Sequence, residues 1–109
     1  MDRWKKMKRK EELERELKRI VGKLKKDKDI KFILLFGSLA RGDVDNTSDI
    51  DLIVVKKTDK KFLDRLDEFY EDVNVAMDVL VYTPEEFRRI KDRNFIKTVN
   101  KEGRILYEA

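Results

Sequence analysis

Leu13, Leu17, Ile20, Val21 and Leu24 recur at intervals of one, three and four residues, which places them along one side of an amphipathic helix over residues 10–27. Trp4 and Met7 either extend that stripe or form a separate exposed contact. The spacing then changes. KFILLF, residues 31–36, is a short apolar run of the kind that forms a buried strand, and it stops at Gly37-Ser38. Residues 39–48, LARGDVDNTS, read as a polar turn. DIDLIVV, residues 49–55, is rich in β-branched residues and predicts a second strand. Thr58 or Asp59 is placed to cap a helix over 59–72, where Phe62, Leu63, Leu66, Phe69, Tyr70 and Val73 keep helical spacing. VNVAMDVLVY, residues 73–82, is a third strand. Thr83-Pro84-Glu85-Glu86 carries a helix start, with Thr83 as cap, Pro84 in the first turn and Glu86 closing a capping box. A short helix over 94–101 ends at Gly103, and Ile105-Leu106-Tyr107 docks as a terminal strand. The predicted order is α-β-turn-β-α-β-α, with the last helix and strand appended.

Composition narrows the chemistry. The chain has 109 residues, enough for one domain spanning 1–109. There is no cysteine and no histidine. A metal must therefore be held by oxygen, and a proton must move through a carboxylate, a lysine or water. Zinc hydrolases, Ser-His-Asp hydrolases and Cys-His enzymes are excluded together. No apolar run approaches a membrane span and the start lacks a secretory signal, so a cytoplasmic protein is expected. Charged residues make up 46% of the chain and glutamine is absent, a balance suited to a hot environment. The net charge of +4 is uneven: residues 1–30 hold 13 Lys/Arg against 7 Asp/Glu, while the remainder is slightly acidic. A basic first helix of this kind is either a solvated face or an attractor for an anionic partner.

The segment from Phe36 to Leu52 carries the chemistry. Asp49 and Asp51 flank Ile50 on a strand, and alternation puts both carboxylates on one face. Adjacent carboxylates repel, and a divalent cation compensates them; a set made only of carboxylates suits Mg²⁺ or Mn²⁺. Asp78 lies between Met77 and Val79 in an apolar strand, where a lone carboxylate is costly unless it is paired or on metal. If the 59–72 segment makes a crossover, strands two and three become neighbours and the three aspartates can converge. Gly37 allows close backbone approach, the Ser38 hydroxyl can bind phosphate oxygens, and Arg41 is the nearest cation for a phosphate. Each element alone also fits a structural role: a turn at Gly-Ser, a cap at Asp49, a surface arginine, an aspartate facing water on an edge strand. Their spacing together favours the catalytic reading.

Gly37-Ser38, ten residues and then Asp49-x-Asp51 resembles the signature of the DNA polymerase beta-like nucleotidyltransferase superfamily. The stretch FGSLARGDVDNTSDIDLIVV is similar to its small stand-alone branch, the minimal nucleotidyltransferases, and Asp78 falls where that branch has its third carboxylate. The resemblance spans about residues 10–90. It implies an α+β fold with a small mixed sheet flanked by helices, two Mg²⁺ ions, and ATP or another nucleoside triphosphate as substrate. Asp49 and Asp51 would bridge the metals; Asp78 would hold the catalytic metal and assist deprotonation of the acceptor. Gly37 and Ser38, with Arg41 as a further candidate, would bind the triphosphate. It also implies a partner: members of this branch are often paired with a HEPN-domain toxin, on which they adenylylate a tyrosine as antitoxin. A chain of this length leaves no room for an acceptor-binding domain, so a protein acceptor or a partner subunit is expected.

Two other readings stay open on the sequence. One is a non-catalytic antitoxin that neutralises its partner by contact. The other is nucleic-acid binding through the basic first helix, with Trp4 stacking on a base.

Overall fold

Four strands, β1 (Ile30–Phe36), β2 (Ile50–Lys56), β3 (Met77–Tyr82) and β4 (Arg104–Glu108), form one sheet in the order β3-β2-β1-β4 in the computed structural model, which describes residues 2–109. β1 runs antiparallel to both β2 and β4, whereas β2 and β3 are parallel. The sheet is therefore mixed, and helices lie on both faces, so the expected α+β architecture is what forms.

Side-chain alternation sorts the core. Ile33 and Leu35 of β1, Leu52 and Val54 of β2, and Val79 and Val81 of β3 pack against Leu13, Leu17, Ile20 and Val21 of α1 (Arg3–Leu24). On the other face Leu34 and Ile53 meet Ile96 and Val99 of α4 (Asn94–Glu102), with Phe87 and Ile90 of α3 (Pro84–Ile90) beside them. The two central strands are apolar on both faces because both faces are covered.

Several boundaries differ from those the sequence predicts. α1 begins at Arg3 rather than residue 10, since Asp2 caps it by accepting from the Lys5 N–H at 2.9 Å. It ends at Leu24, short of residue 27, where Asp27 turns the chain by accepting from the Asp29 N–H. Trp4 and Met7 do not extend the buried stripe; they are 64% and 51% exposed. Part of the expected polar turn, Leu39 to Arg41, belongs to a short helix, α2 (Gly37–Arg41), closed by Gly42 at φ +85°. β3 starts at Met77 instead of residue 73.

The largest correction is the crossover. No α-helix spans 59–72; two 3₁₀ turns, Phe62–Arg65 and Asp67–Phe69, connect β2 to β3. Arg65 explains this. Its guanidinium is buried and donates to the Lys60 and Val81 carbonyls and to the Glu86 carboxylate, drawing the segment inward at one point. Phe69 is buried as the spacing required, but Leu63 is 73% exposed, and Phe62 lies against Tyr82 with ring centroids 5.6 Å apart. The Tyr70 hydroxyl accepts from the Val79 N–H at 3.1 Å, capping the open edge of β3. Beyond it, Thr83 and Glu86 form the capping box the sequence announces, and α4 and β4 fall within a residue or two of expectation.

Replacing Arg65 with Ala takes its guanidinium from the Val81 carbonyl and leaves the Glu86 carboxylate only its capping-box bond from the Thr83 N–H. Urea denaturation at pH 7 is expected to show a loss of about 3 kcal/mol. Arg65 holds the Glu86 pKa down at about 2, so its contribution is present above the ordinary value of 4.5 and fades as pH falls towards 2. The stability gap between wild type and R65A should close over that window.

Candidate active site

β2 and β3 are in a register that sets Asp51 directly beside Asp78, each the second residue of its strand. Asp49 immediately precedes β2, with its chain direction continued by the Ile50 N–H donating to the Ala76 carbonyl at 3.1 Å. Ile50, Leu52, Met77 and Val79 turn into the core against α1, and that obliges Asp49, Asp51 and Asp78 onto the opposite face. One carboxylate oxygen from each of the three lies within 4.8 Å of the others. The convergence expected from the sequence is present.

β1 brings the rest of the expected set to the same end. Its last residue, Phe36, pairs with Asp51, so the chain leaves the sheet beside the carboxylates. Gly37 takes φ +79°, and a Cβ there would collide with Asp51 Oδ2 and stand 3.1 Å from Asp51 Cγ. Only glycine satisfies both the backbone angle and the space. Ser38 follows on the first turn of α2, and its hydroxyl hydrogen-bonds the Ser48 hydroxyl at 2.8 Å. Arg41 sits at the end of α2, paired with Asp43 at 3.3 Å and Glu102 at 3.8 Å. To reach a phosphate it must leave both.

The three aspartates lack a balancing cation: no lysine or arginine forms an ion pair with them among the described residues. Burial pushes the Asp51 carboxyl up to about 7, and the charges of Asp49 and then Asp78 add to the shift. Asp49 is raised as well, by burial first and by Asp78 second, while its hydrogen bonds to Asp51 and to its own backbone N–H act the other way. Asp49 and Asp51 are half-buried and Asp78 is exposed. Two carboxylates are thus held in a partly dry wall and the third faces incoming molecules. Oxygen donors at these distances, short of positive charge and with nothing softer nearby, fit a hard divalent ion such as Mg²⁺.

Sequence reasoning did not single out Ser48 or Arg9. Ser48 is buried; its hydroxyl accepts from the Asp45 N–H at 2.9 Å and meets Ser38, closing the loop that delivers Asp49. A serine between a turn and an Asp-x-Asp was the available signal. Arg9, 39 positions earlier, donates to the Ser48 carbonyl at 2.7 Å, and nothing in the local pattern foretold it.

A mixed sheet bearing three carboxylates at one end, facing a glycine that starts a helix, is the framework of a metal-dependent phosphoryl-transfer domain. Comparison with known proteins supplies the family. Residues 18–109 match the model described as "Polymerase beta, Nucleotidyltransferase". A protein of Methanocaldococcus jannaschii named "Putative protein adenylyltransferase MJ0604" is 37% identical over 79 residues, which cover 72% of this chain and 79% of that protein. A crystal structure from Sulfolobus solfataricus, that of "a putative nucleotidyltransferase", superposes with a TM-score of 0.65 at 24% identity over 95% of this chain and 87% of that one, a likeness of fold. The chain belongs to the polymerase beta nucleotidyltransferase family. It is a transferase whose substrate is a nucleoside triphosphate. None of its helices is long and apolar enough to cross a membrane, among the described residues.

Two measurements probe the site. The raised carboxyl stabilises the metal-free fold below about pH 4, and that contribution is lost as pH rises through about 7. Mn²⁺ should therefore raise the thermal midpoint more at pH 8 than at pH 5, with about 2.7 kcal/mol of stabilisation at a hundredfold excess over Kd. Gly37→Ala should abolish that metal-induced shift while the far-UV spectrum stays native; an unchanged shift would refute the packing of Gly37 on Asp51.

Proposed function

We propose that the chain transfers AMP from ATP, with Mg²⁺, onto a protein hydroxyl. We further propose that the acceptor is a tyrosine of a HEPN-domain toxin, for which the chain serves as antitoxin. The observation that carries the catalytic part is the meeting of Asp49, Asp51 and Asp78 within 4.8 Å, opposite Gly37. The protein acceptor is supported by the name of the Methanocaldococcus jannaschii relative. The toxin partner rests on resemblance to the minimal nucleotidyltransferases.

In this reading Asp49, Asp51 and Asp78 would together hold the Mg²⁺. When bound, the metal supplies charge neutralisation at the phosphoryl oxygens and favours ionisation of the acceptor. Asp78, the exposed member of the three, receives the proton of the incoming hydroxyl. The acceptor oxygen forms its bond to the α-phosphorus as the bond to the bridging oxygen breaks, and pyrophosphate departs. Gly37 lets the triphosphate lie against the backbone and Ser38 donates its hydroxyl to it, exchanging its present partner Ser48 for a phosphate oxygen. Arg41, if it leaves Asp43 and Glu102, contributes a cation to the same tail.

The test is transfer from α-³²P-ATP and Mg²⁺ to a HEPN-domain protein, or to the product of the gene adjacent to this one. Labelled acceptor is expected with wild type. Asn at position 49 or 51 should lower the rate at least a thousandfold, and Asp78→Asn about a hundredfold or more. Absence of label with wild type defeats the reading. Neutralisation of the toxin that survives D49N/D51N would assign the antitoxin role to contact alone.

A further inference from the structure

The first three turns of α1 stand clear of the core: Leu13 is the first buried residue, and every described residue before it is exposed except Arg9. Arg9 leaves this arm to touch the loop before the aspartates. Nη2 donates to the Ser48 carbonyl at 2.7 Å, Nη1 reaches Glu12 at 3.0 Å, and Nε is buried without an acceptor. A side chain selected only to hold the helix down would not leave a buried donor unpaired when a shorter or apolar one could fill the space. What the guanidinium grips is informative. The Ser48 carbonyl and the Asp49 N–H belong to one planar peptide unit, so clamping the oxygen fixes the direction of the N–H and of the Asp49 Cα. The same residue's hydroxyl holds Ser38, on the phosphate side of the site.

We propose that Arg9 is a positioning residue: by clamping the Ser48–Asp49 peptide it sets the Asp49 carboxylate and, through the Ser48 hydroxyl, the orientation of Ser38. This rests on the aspartates being the metal site, and it adds a contribution from the N-terminal helix that lies outside the Gly-Ser and Asp-x-Asp segments. Arg9 touches neither metal nor nucleotide; it acts through Ser48. The planar fork makes the two bonds at a fixed angle, which a lysine cannot reproduce in full.

The full chain is titrated with Mn²⁺ alone, by the loss of the free-ion paramagnetic resonance signal, and with Mn²⁺ plus a non-hydrolysable ATP analogue by calorimetry. Arg9→Ala is expected to weaken Mn²⁺ about tenfold and the analogue by at least as much. Arg9→Lys, which keeps one donor for the Ser48 carbonyl, should recover a part of that loss. Glu12→Ala, which removes the other partner but leaves the Ser48 bond, should bind as wild type. Thermal midpoints of all four proteins separate a general loss of stability from a local one. Wild-type affinities retained in R9A, or losses in R9A and R9K that follow their midpoints and are matched by E12A, would overturn the proposal. Failure of wild type itself to bind Mn²⁺ would be a failure of the metal-site reading, distinct from any ratio between variants.

Discussion

Three like charges crowd one end of the sheet, and the rest of the molecule is arranged so that they cannot part. With carboxylate oxygens no more than 4.8 Å apart, two ionised carboxylates in a surface-like environment repel by about 3 kcal/mol or more. Against this stand Ile50, Leu52, Ile53 and Val54, all fully buried on β2, each worth about 1.5–3 kcal/mol through its apolar surface. Burial wins, and the register of β2 on β3 is set by the core. The aspartates are carried along by that register. Burial first, and the repulsion second, push the Asp51 carboxyl up to about 7, so below that pH a proton relieves part of the repulsion. A divalent ion held by the three aspartates would remove the remainder, and its oxygen donors are already brought together.

Two short adjacent strands, with the residue just before β2, are enough to carry the three aspartates. Alternation along β2 and β3 sends one set of side chains to α1 and the other to the opposite face, so an acid beside each of two adjacent core residues suffices. The antiparallel pairing of β1 then returns the chain to the carboxylates, where Gly37 passes over Asp51 without a side chain to obstruct it. Ser48 joins the two halves, since it belongs to the loop before Asp49 and holds the hydroxyl of Ser38. The aspartates and the Gly37-Ser38 turn are thus joined through one buried serine.

Much of this could be read from the residues. Short apolar runs marked β1, β2 and β3, because buried strands leave a local record in their composition. The aspartates stood out because a carboxylate inside such a run has few structural uses. Thr83-Pro84-Glu85-Glu86 marked the start of α3 because a cap is a local feature. What escaped depended on contacts between distant positions. The segment 59–72 keeps helical spacing, yet Arg65 binds the Val81 carbonyl and Glu86 and draws it into 3₁₀ turns. The early start of α1 turned on a single cap, Asp2, which competes poorly with the polarity of the residues after it. Arg9 was one cation among six between residues 3 and 10 until the fold brought it to Ser48. Local patterns record which residues are inside; they do not record which long side chain closes on which carbonyl.

Anomalous diffraction from crystals grown with Mn²⁺ and a non-hydrolysable ATP analogue tests the central claim most directly. Manganese density between Asp49, Asp51 and Asp78, with the triphosphate lying along Gly37 and Ser38, is the predicted result. Manganese elsewhere on the molecule, or a nucleotide seated away from that turn, would contradict it.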